Sequence, residues 1–204
     1  TQERPLIGKL LNINGAGILY SWMQQNIASK GDTYQDMNQL AASVPAGSEG
    51  LYMLPFGNGA ERMLNNHSNE ACMSNLNFNI HKKAHLFRAA LEAIAFSFVY
   101  GIDILKGDGV ELSVIRAGND NLFRSDIFSH TLATLVGADI NIIDTTGAVG
   151  AARAAGVSSG AFKSLGEAFS ADEHIKTYHP LKGKKNYKEF YKIWKQDLEN
   201  QYHT

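Results

Sequence analysis

The chain has 204 residues, of which 44% are hydrophobic and 19% charged, the composition of an ordinary globular chain able to bury a core. Its formal net charge of -1 and pI near 6.6 supply no basic excess for nucleic acid or an acidic membrane surface. No run reaches the roughly 18 apolar residues of a membrane span, no charged-then-apolar leader opens the chain, and a single cysteine, Cys72, excludes an internal disulfide framework and fits a reducing cytoplasm.

The chain starts at Thr1 rather than Met, and residues 4–14 read as an apolar strand entering a Gly-rich turn, which predicts a fragment or excised domain. After the apolar stretch 6–13, the turn Asn14-Gly15-Ala16-Gly17 opens a helix to about residue 27, with Ile18, Trp22 and Gln25 on one side. A short helix over 33–42 ends before Pro45-Ala46-Gly47. GLYMLP (50–55) reads as a buried strand spilling into the polar loop 56–66, where Gly57, Asn58 and Gly59 precede the couple Glu61-Arg62 and then Asn65, Asn66 and His67.

Residues 73–78 read as a strand and 81–106 as a long helix. In that helix Leu86, Ala90, Ile94, Phe98, Ile102 and Leu105 keep helical spacing, with Ala89, Ala93 and Ser97 as a narrow second stripe. A strand over 111–115, a small-residue turn over 116–121, a helix over 123–136 and a strand over 138–144 follow. Strand, helix, strand, helix at this spacing predicts parallel pairing in an α/β layered domain. The segment IIDTTGAVGAARAAG (142–156) then runs from strand to helix through residues with almost no side-chain bulk. The expected organisation is a domain over 1–179, then a linker and an amphipathic helix over 180–204. The linker carries the basic run Lys182, Lys184, Lys185 and Lys188, read as a solvated helix entrance.

No G-x-x-x-x-G-K-[ST] loop, H-E-x-x-H, paired C-x-x-C or G-x-S-x-G occurs. His81 and His85 share a helix face, but without an acidic partner at ligand spacing they read as helix-entry polar residues, and no metal site is expected. What remains is three Gly/Ala-rich turns, 14–17, 117–121 and 145–150. Helix-start amides favour anions and small residues admit a flat base, so the set suits a nucleotide; tight strand–helix packing at each is the alternative.

Four blocks carry a resemblance. GLYMLPFGNGAER (50–62), HLFRAALEAIAFSFVYGIDIL (85–105), RAGNDNLF (from Arg116) and TTGAVGAARAAG (from Thr145) resemble, in this order, the C-terminal domain of the FGGY carbohydrate kinases, and among them most the kinases of xylulose, over roughly residues 6–169. The resemblance implies an α/β, actin-like (ribonuclease H-like) ATPase domain with a mixed sheet flanked by helices and a helical tail. It further implies ATP with Mg2+ as cofactors and phosphoryl transfer to a sugar hydroxyl, D-xylulose to D-xylulose 5-phosphate being expected and ribulose or another polyol the alternative. Gly17 and Ser21 would lie near the nucleotide, and Ala117, Gly118, Asn119 and Asn121 against the adenosine.

Many relatives carry consecutive glycines followed soon by Ser, whereas extra residues separate Gly118 from Ser125 here, which leaves Ser125 a candidate. Glu61 and Arg62 resemble the family's Glu-Arg couple, displaced by one residue, and are expected at the cleft rim or a subunit contact. The small face of 147–155 would pack beneath the adenosine turn. In this family the base Asp and phosphate loop belong to an N-terminal domain. None of Asp103, Asp120, Asp126, Asp139 and Asp144 is marked as that base, so this chain is expected to hold no catalytic residue and to need that partner domain, with a homodimer possible. A nucleotide sensor of the same fold and a structural protein assembling through its tail helix are the readings from other classes.

Overall fold

The structure is a computed structural model describing residues 8–170, 172–183 and 186–202, except for the side chains of Asn121 and Tyr202. The expectations at residues 4–7 and at Lys184 and Lys185 fall outside the described residues. The chain divides into two compact units, one running up to Glu111 and resuming at Phe190, the other spanning Leu112–Glu189.

The first unit is built on helix α3 (Lys83–Gly107). From Phe87 to Ser97 every residue of α3 is buried, so the predicted stripe describes only part of its packing. A helix apolar on all sides must be covered on all sides. Helices α1 (Ala16–Asn26) and α2 (Tyr34–Ala42) and the ribbon of β1 (Tyr52–Leu54) with β4 (Cys72–Ser74) do so. That ribbon is antiparallel, Met53 facing Met73. A second antiparallel ribbon pairs β2 (Ala60–Glu61) with β3 (His67–Ser68). The expected strand at 73–78 is thus shorter, and residues 8–13 form no strand.

Helix α1 does not bury the side that carries Ile18 and Trp22. Ala16, Tyr20 and Met23 are buried, while Ile18 and Trp22 are about half exposed. The two sets share the same 4,3 spacing offset by two residues, which at about 100° per residue puts them on opposite sides. The periodicity alone therefore fits either orientation. The Tyr20 hydroxyl donates to Asn38 Oδ1 at 2.8 Å, and burial pushes its pKa up.

Between α2 and β1, four successive residues have positive φ: Gly47, Ser48, Glu49 and Gly50. Two of them are not glycine, so their surroundings must hold them there. The Gly47 amide donates to both oxygens of buried Glu92 (3.1 Å each), and Ser48 Oγ to the His85 carbonyl (3.1 Å). His85 Nδ1 accepts the Lys82 amide, which leaves its Nε2–H to donate to Glu49 at 2.7 Å. Arg88 donates to Glu92 at 2.7 Å and to the Val44 carbonyl at 3.2 Å. Burial raises the Glu92 carboxyl above its ordinary value, against the pull of Arg88.

After the short helix α6 (Leu165–Ala168), helix α7 (Asn186–Tyr202) seats its later turns in the first unit. Trp194 is fully buried, rings against Phe56, Phe96, Tyr100 and Tyr191, and donates its indole N–H to the Met53 carbonyl at 2.8 Å.

The second unit carries a three-stranded mixed sheet in the order β5 (Val114–Gly118), β6 (Asp139–Ile143), β7 (His174–Tyr178). The predicted parallel pairing holds for β5 and β6, in register from Val114 with Asp139 to Gly118 with Ile143. The antiparallel edge strand β7 was not anticipated, its HIKTY being half polar. Helix α4 (Asp126–Val136) starts on a Ser125 cap and stops at Gly137 in the left-handed region. Helix α5 (Gly147–Ser158) has no buried residue. It is tied down late, through Arg153 to Asp172 and the close approach of Gly156 to the Phe162 ring.

Candidate functional site

In the first unit the candidate site is the start of α1. Gly15 stands at the helix cap without a side chain to cap it. A Cβ there would collide with the Pro55 carbonyl oxygen and lie 2.9 Å from Phe56 Cα, so the backbone of that loop fills the space and forbids the usual Ser, Thr or Asp. Glu61 supplies acceptors there instead, for the cap residue and the residue before it. Its carboxylate, 1% exposed, accepts the Asn14 amide at 2.8 and 3.0 Å and the Gly15 amide at 2.9 Å. Asn14 Nδ2 donates to the Ala60 carbonyl at 2.7 Å and Asn58 Nδ2 to the Asn14 carbonyl at 3.2 Å.

Glu61 is therefore an internal anchor, which corrects its expected place at a rim. Its neighbour Arg62 is exposed, as the alternation of a strand end requires. The role of Glu61 escaped sequence reading because its partners are backbone amides 46 and 47 residues away.

A Cβ on Gly17 would meet no atom within 4 Å. Gly17 and Ser21, one turn apart, share a flank of α1. The opposite flank borders an apolar pocket of about 430 Å³ lined by residues including Leu19, Trp22, Met53, Pro55, Cys72 and Met73. The exposed side of Trp22 is thus part of a pocket wall.

In the second unit, Ala117 and Gly118 are the last residues of β5 rather than a turn. The Asn119 amide donates to the Ile143 carbonyl at 3.0 Å, and Arg124 Nε to the Asn119 carbonyl at 3.0 Å. Asn121 opens the 3-10 segment Asn121–Arg124. A Cβ on Gly118 would sit 2.5 Å from the Thr145 carbonyl oxygen, so the strand end and the loop before α5 meet backbone to backbone. The turns at 117–121 and 145–150 are thereby joined. The turn at 14–17 belongs to the other unit.

Two expectations are corrected in this unit. Ser125 is 3% exposed and its hydroxyl accepts the Phe128 amide at 3.4 Å, so it serves as a helix cap. Gly147 and Gly150 open onto empty space, so α5 does not pack its small face beneath the 117–121 segment; only the loop before it does. Beside Gly118, the Thr145 hydroxyl is buried without a hydrogen-bond partner among the described residues.

Three of the aspartates and both histidines have structural partners. Asp126 accepts Lys176 at 2.8 Å and the Tyr178 hydroxyl at 2.6 Å, and these bonds hold its carboxyl below the usual range. Asp139 pairs with His179, and Asp103 accepts the Tyr191 hydroxyl. His81 Nδ1 accepts the Asn77 amide, and its other ring nitrogen meets the Glu49 carbonyl at 3.3 Å. Both histidines of the suspected pair thus fix the 47–50 turn. Among the described residues no three His, Cys, Asp or Glu side chains group as metal ligands, and no helix is long and apolar enough to cross a membrane.

Comparison with known proteins matches residues 4–159 to the FGGY family of carbohydrate kinases, C-terminal domain. A xylulose kinase of Haemophilus influenzae is 29% identical over 175 residues, which cover 82% of this chain and 35% of that protein. The fold is similar to that of a ligand-bound xylulose kinase from Lactobacillus acidophilus (TM-score 0.76, 24% identity, 92% of this chain and 38% of that one) and of Plasmodium falciparum glycerol kinase with ADP (TM-score 0.74, 22% identity, 93% and 37%). The chain thus spans about a third of the length of these relatives, and its fold is the α/β, actin-like one. By the match over most of its length, this chain belongs to the FGGY family of carbohydrate kinases and corresponds to their C-terminal domain.

Proposed function

We propose that this chain is the nucleotide-side part of an ATP-dependent sugar kinase that phosphorylates a ketopentose, D-xylulose to D-xylulose 5-phosphate. In this reading residues 1–179 are the nucleotide-side domain, 180–204 a linker and C-terminal helix, and the whole enzyme works in the cytoplasm, with a homodimer compatible with it. The observation that carries the reading is Gly17. The other glycines of the two candidate segments, Gly15 and Gly118, are accounted for by contacts within the chain, whereas Gly17 faces open space on a helix start fixed from behind.

A nucleotide fits the residues present. In the first unit the backbone N–H groups of the first turn of α1 and the Ser21 hydroxyl are candidate nucleotide contacts; in the second, Ala117, Gly118, Asn119 and Asn121 are the candidates that the family resemblance implies for the adenosine. ATP supplies the transferable phosphoryl group. Mg2+ would enter on the phosphates, since the described residues offer no cluster to hold it. Transfer needs the acceptor hydroxyl in line with the γ-phosphate and a carboxylate to take its proton. Of the five aspartates considered, Asp103, Asp126 and Asp139 are engaged inside the fold. By the family resemblance the base and the partner N-terminal domain would lie outside this chain, and Arg62, exposed on its hairpin, would face the cleft rim.

Likeness to both xylulose and glycerol kinases supports a second reading of the acceptor, another sugar or a polyol. Calorimetry of the chain with ADP and ATP tests the nucleotide reading, saturable heat being expected and none contradicting it. The chain alone is expected to transfer no phosphoryl group; turnover of D-xylulose at an ordinary kinase rate, on the order of 1–100 s⁻¹, would overturn the division of labour. A longer protein containing it is expected to prefer D-xylulose over glycerol by kcat/KM, and the reverse preference establishes the second reading.

A further inference from the structure

We propose that Glu61 is a positioning residue for nucleotide recognition: from the β2–β3 hairpin its carboxylate fixes the start of α1, and so sets where Gly17 and Ser21 meet the ligand. This rests on the reading that those two residues touch the nucleotide.

A helix start normally draws its cap from its own cap residue. Gly15 cannot provide one, because the Pro55 carbonyl and Phe56 Cα occupy the direction of its side chain. Glu61 instead takes the amides of Gly15 at the cap and of Asn14 before it, across 46 and 47 residues and through both carboxylate oxygens, and leaves those of the first turn open. At 1% exposure a carboxylate needs compensation. Among the described residues no Lys, Arg or His side chain pairs with it, so the two amides and the positive end of the α1 dipole provide it.

The link is more than one bond wide. Asn14 donates to the Ala60 carbonyl, Asn58 to the Asn14 carbonyl and the Asn66 amide to the Glu61 carbonyl at 3.0 Å. Hairpin and helix start therefore behave as one body. Arg62, next to Glu61, rides on the side of that body open to solvent. The polar loop 57–66 thus contributes through the helix it holds as well as through what it exposes.

The test is an ADP titration of the chain followed at individual backbone amides, unsubstituted and as Glu61→Gln. Oε2 of Glu61 alone accepts both amides, so a glutamine oxygen can stand in its place, but the NH2 then faces the Asn14 amide where Oε1 accepted it, and one of the three bonds and the negative charge are lost. The substituted chain is expected to bind ADP roughly fivefold more weakly, because the competent helix start is then only fractionally populated. Exchange at Asn14 and Gly15 should quicken while that of the α3 core does not, and Glu61→Asp, which keeps the charge, should recover part of the affinity. Unchanged ADP affinity in folded Glu61→Gln with quickened Asn14 and Gly15 amides overturns the positioning role and leaves the nucleotide reading standing. No ADP response at Gly17 and Ser21 in the unsubstituted chain overturns both. Should neither variant fold, ADP must still slow Asn14 and Gly15 exchange in the unsubstituted chain, and exchange indifferent to ADP overturns the proposal.

Discussion

Two residues apart in one turn, Gly15 and Gly17 lack side chains for different reasons. At Gly15 a Cβ would strike the Pro55–Phe56 backbone, whereas at Gly17 it would enter open space. Gly15→Ala is therefore expected to lower stability by about 1–3 kcal/mol, the usual cost of overpacking, read as a fall in the thermal midpoint. Gly17→Ala should leave that midpoint unchanged or slightly higher and still weaken ADP binding. A Gly17→Ala chain with unaltered ADP affinity would remove the residue from the site. At Gly150, which also faces open space, Leu is expected to raise stability by about 0.5–1 kcal/mol as a better helix former without changing ADP affinity; a loss of affinity would restore the packing role first expected of that helix. Sequence reading grouped these glycines because composition reports only that a side chain is missing. What stands opposite the missing Cβ is a property of segments tens of residues away.

The helices and strands differ in how much of each was legible. The spans of α2 and of the end of α4 were legible, and in the structure Thr33 and Asp36 cap each other reciprocally at the start of α2 while Gly137 ends α4. On α1 two stripes of equal spacing compete, and the more apolar one, with Ile18 and Trp22, lines a pocket instead of the core. Strand β7 was missed because its residues alternate weakly and its pairing with β6 is decided by the sheet. Its cluster gives a pH prediction. Hydrogen bonds from Lys176 and Tyr178 lower the Asp126 pKa in the folded state. Its contribution is therefore complete above the unfolded value of about 3.9 and is lost as pH falls through the lower folded value. Asp126→Asn should flatten that acid-side decline in stability of the second unit, and an unchanged decline would assign it to other carboxylates. In α7, Trp194→Ala is expected to cost about 3–5 kcal/mol, since it empties a fully buried site among four aromatic rings and leaves the Met53 carbonyl without its donor.

At the scale of the molecule, four sequence blocks in order identified the family, and the match over residues 4–159 bears that out. The local structure of residues 117–125 was less legible. Ala117 and Gly118 proved to be a strand end and Ser125 a helix cap, because the extra residues after Gly118 form a 3-10 segment that no propensity marked. The central proposal is that this chain binds an adenine nucleotide while leaving the chemistry to another domain. It is tested most directly by titrating the chain with ADP and following the backbone amides of Gly17, Ser21, Gly118 and Asn119. Saturable shifts at these positions, with α3 undisturbed, are predicted. Shifts at neither segment up to millimolar ADP would contradict it.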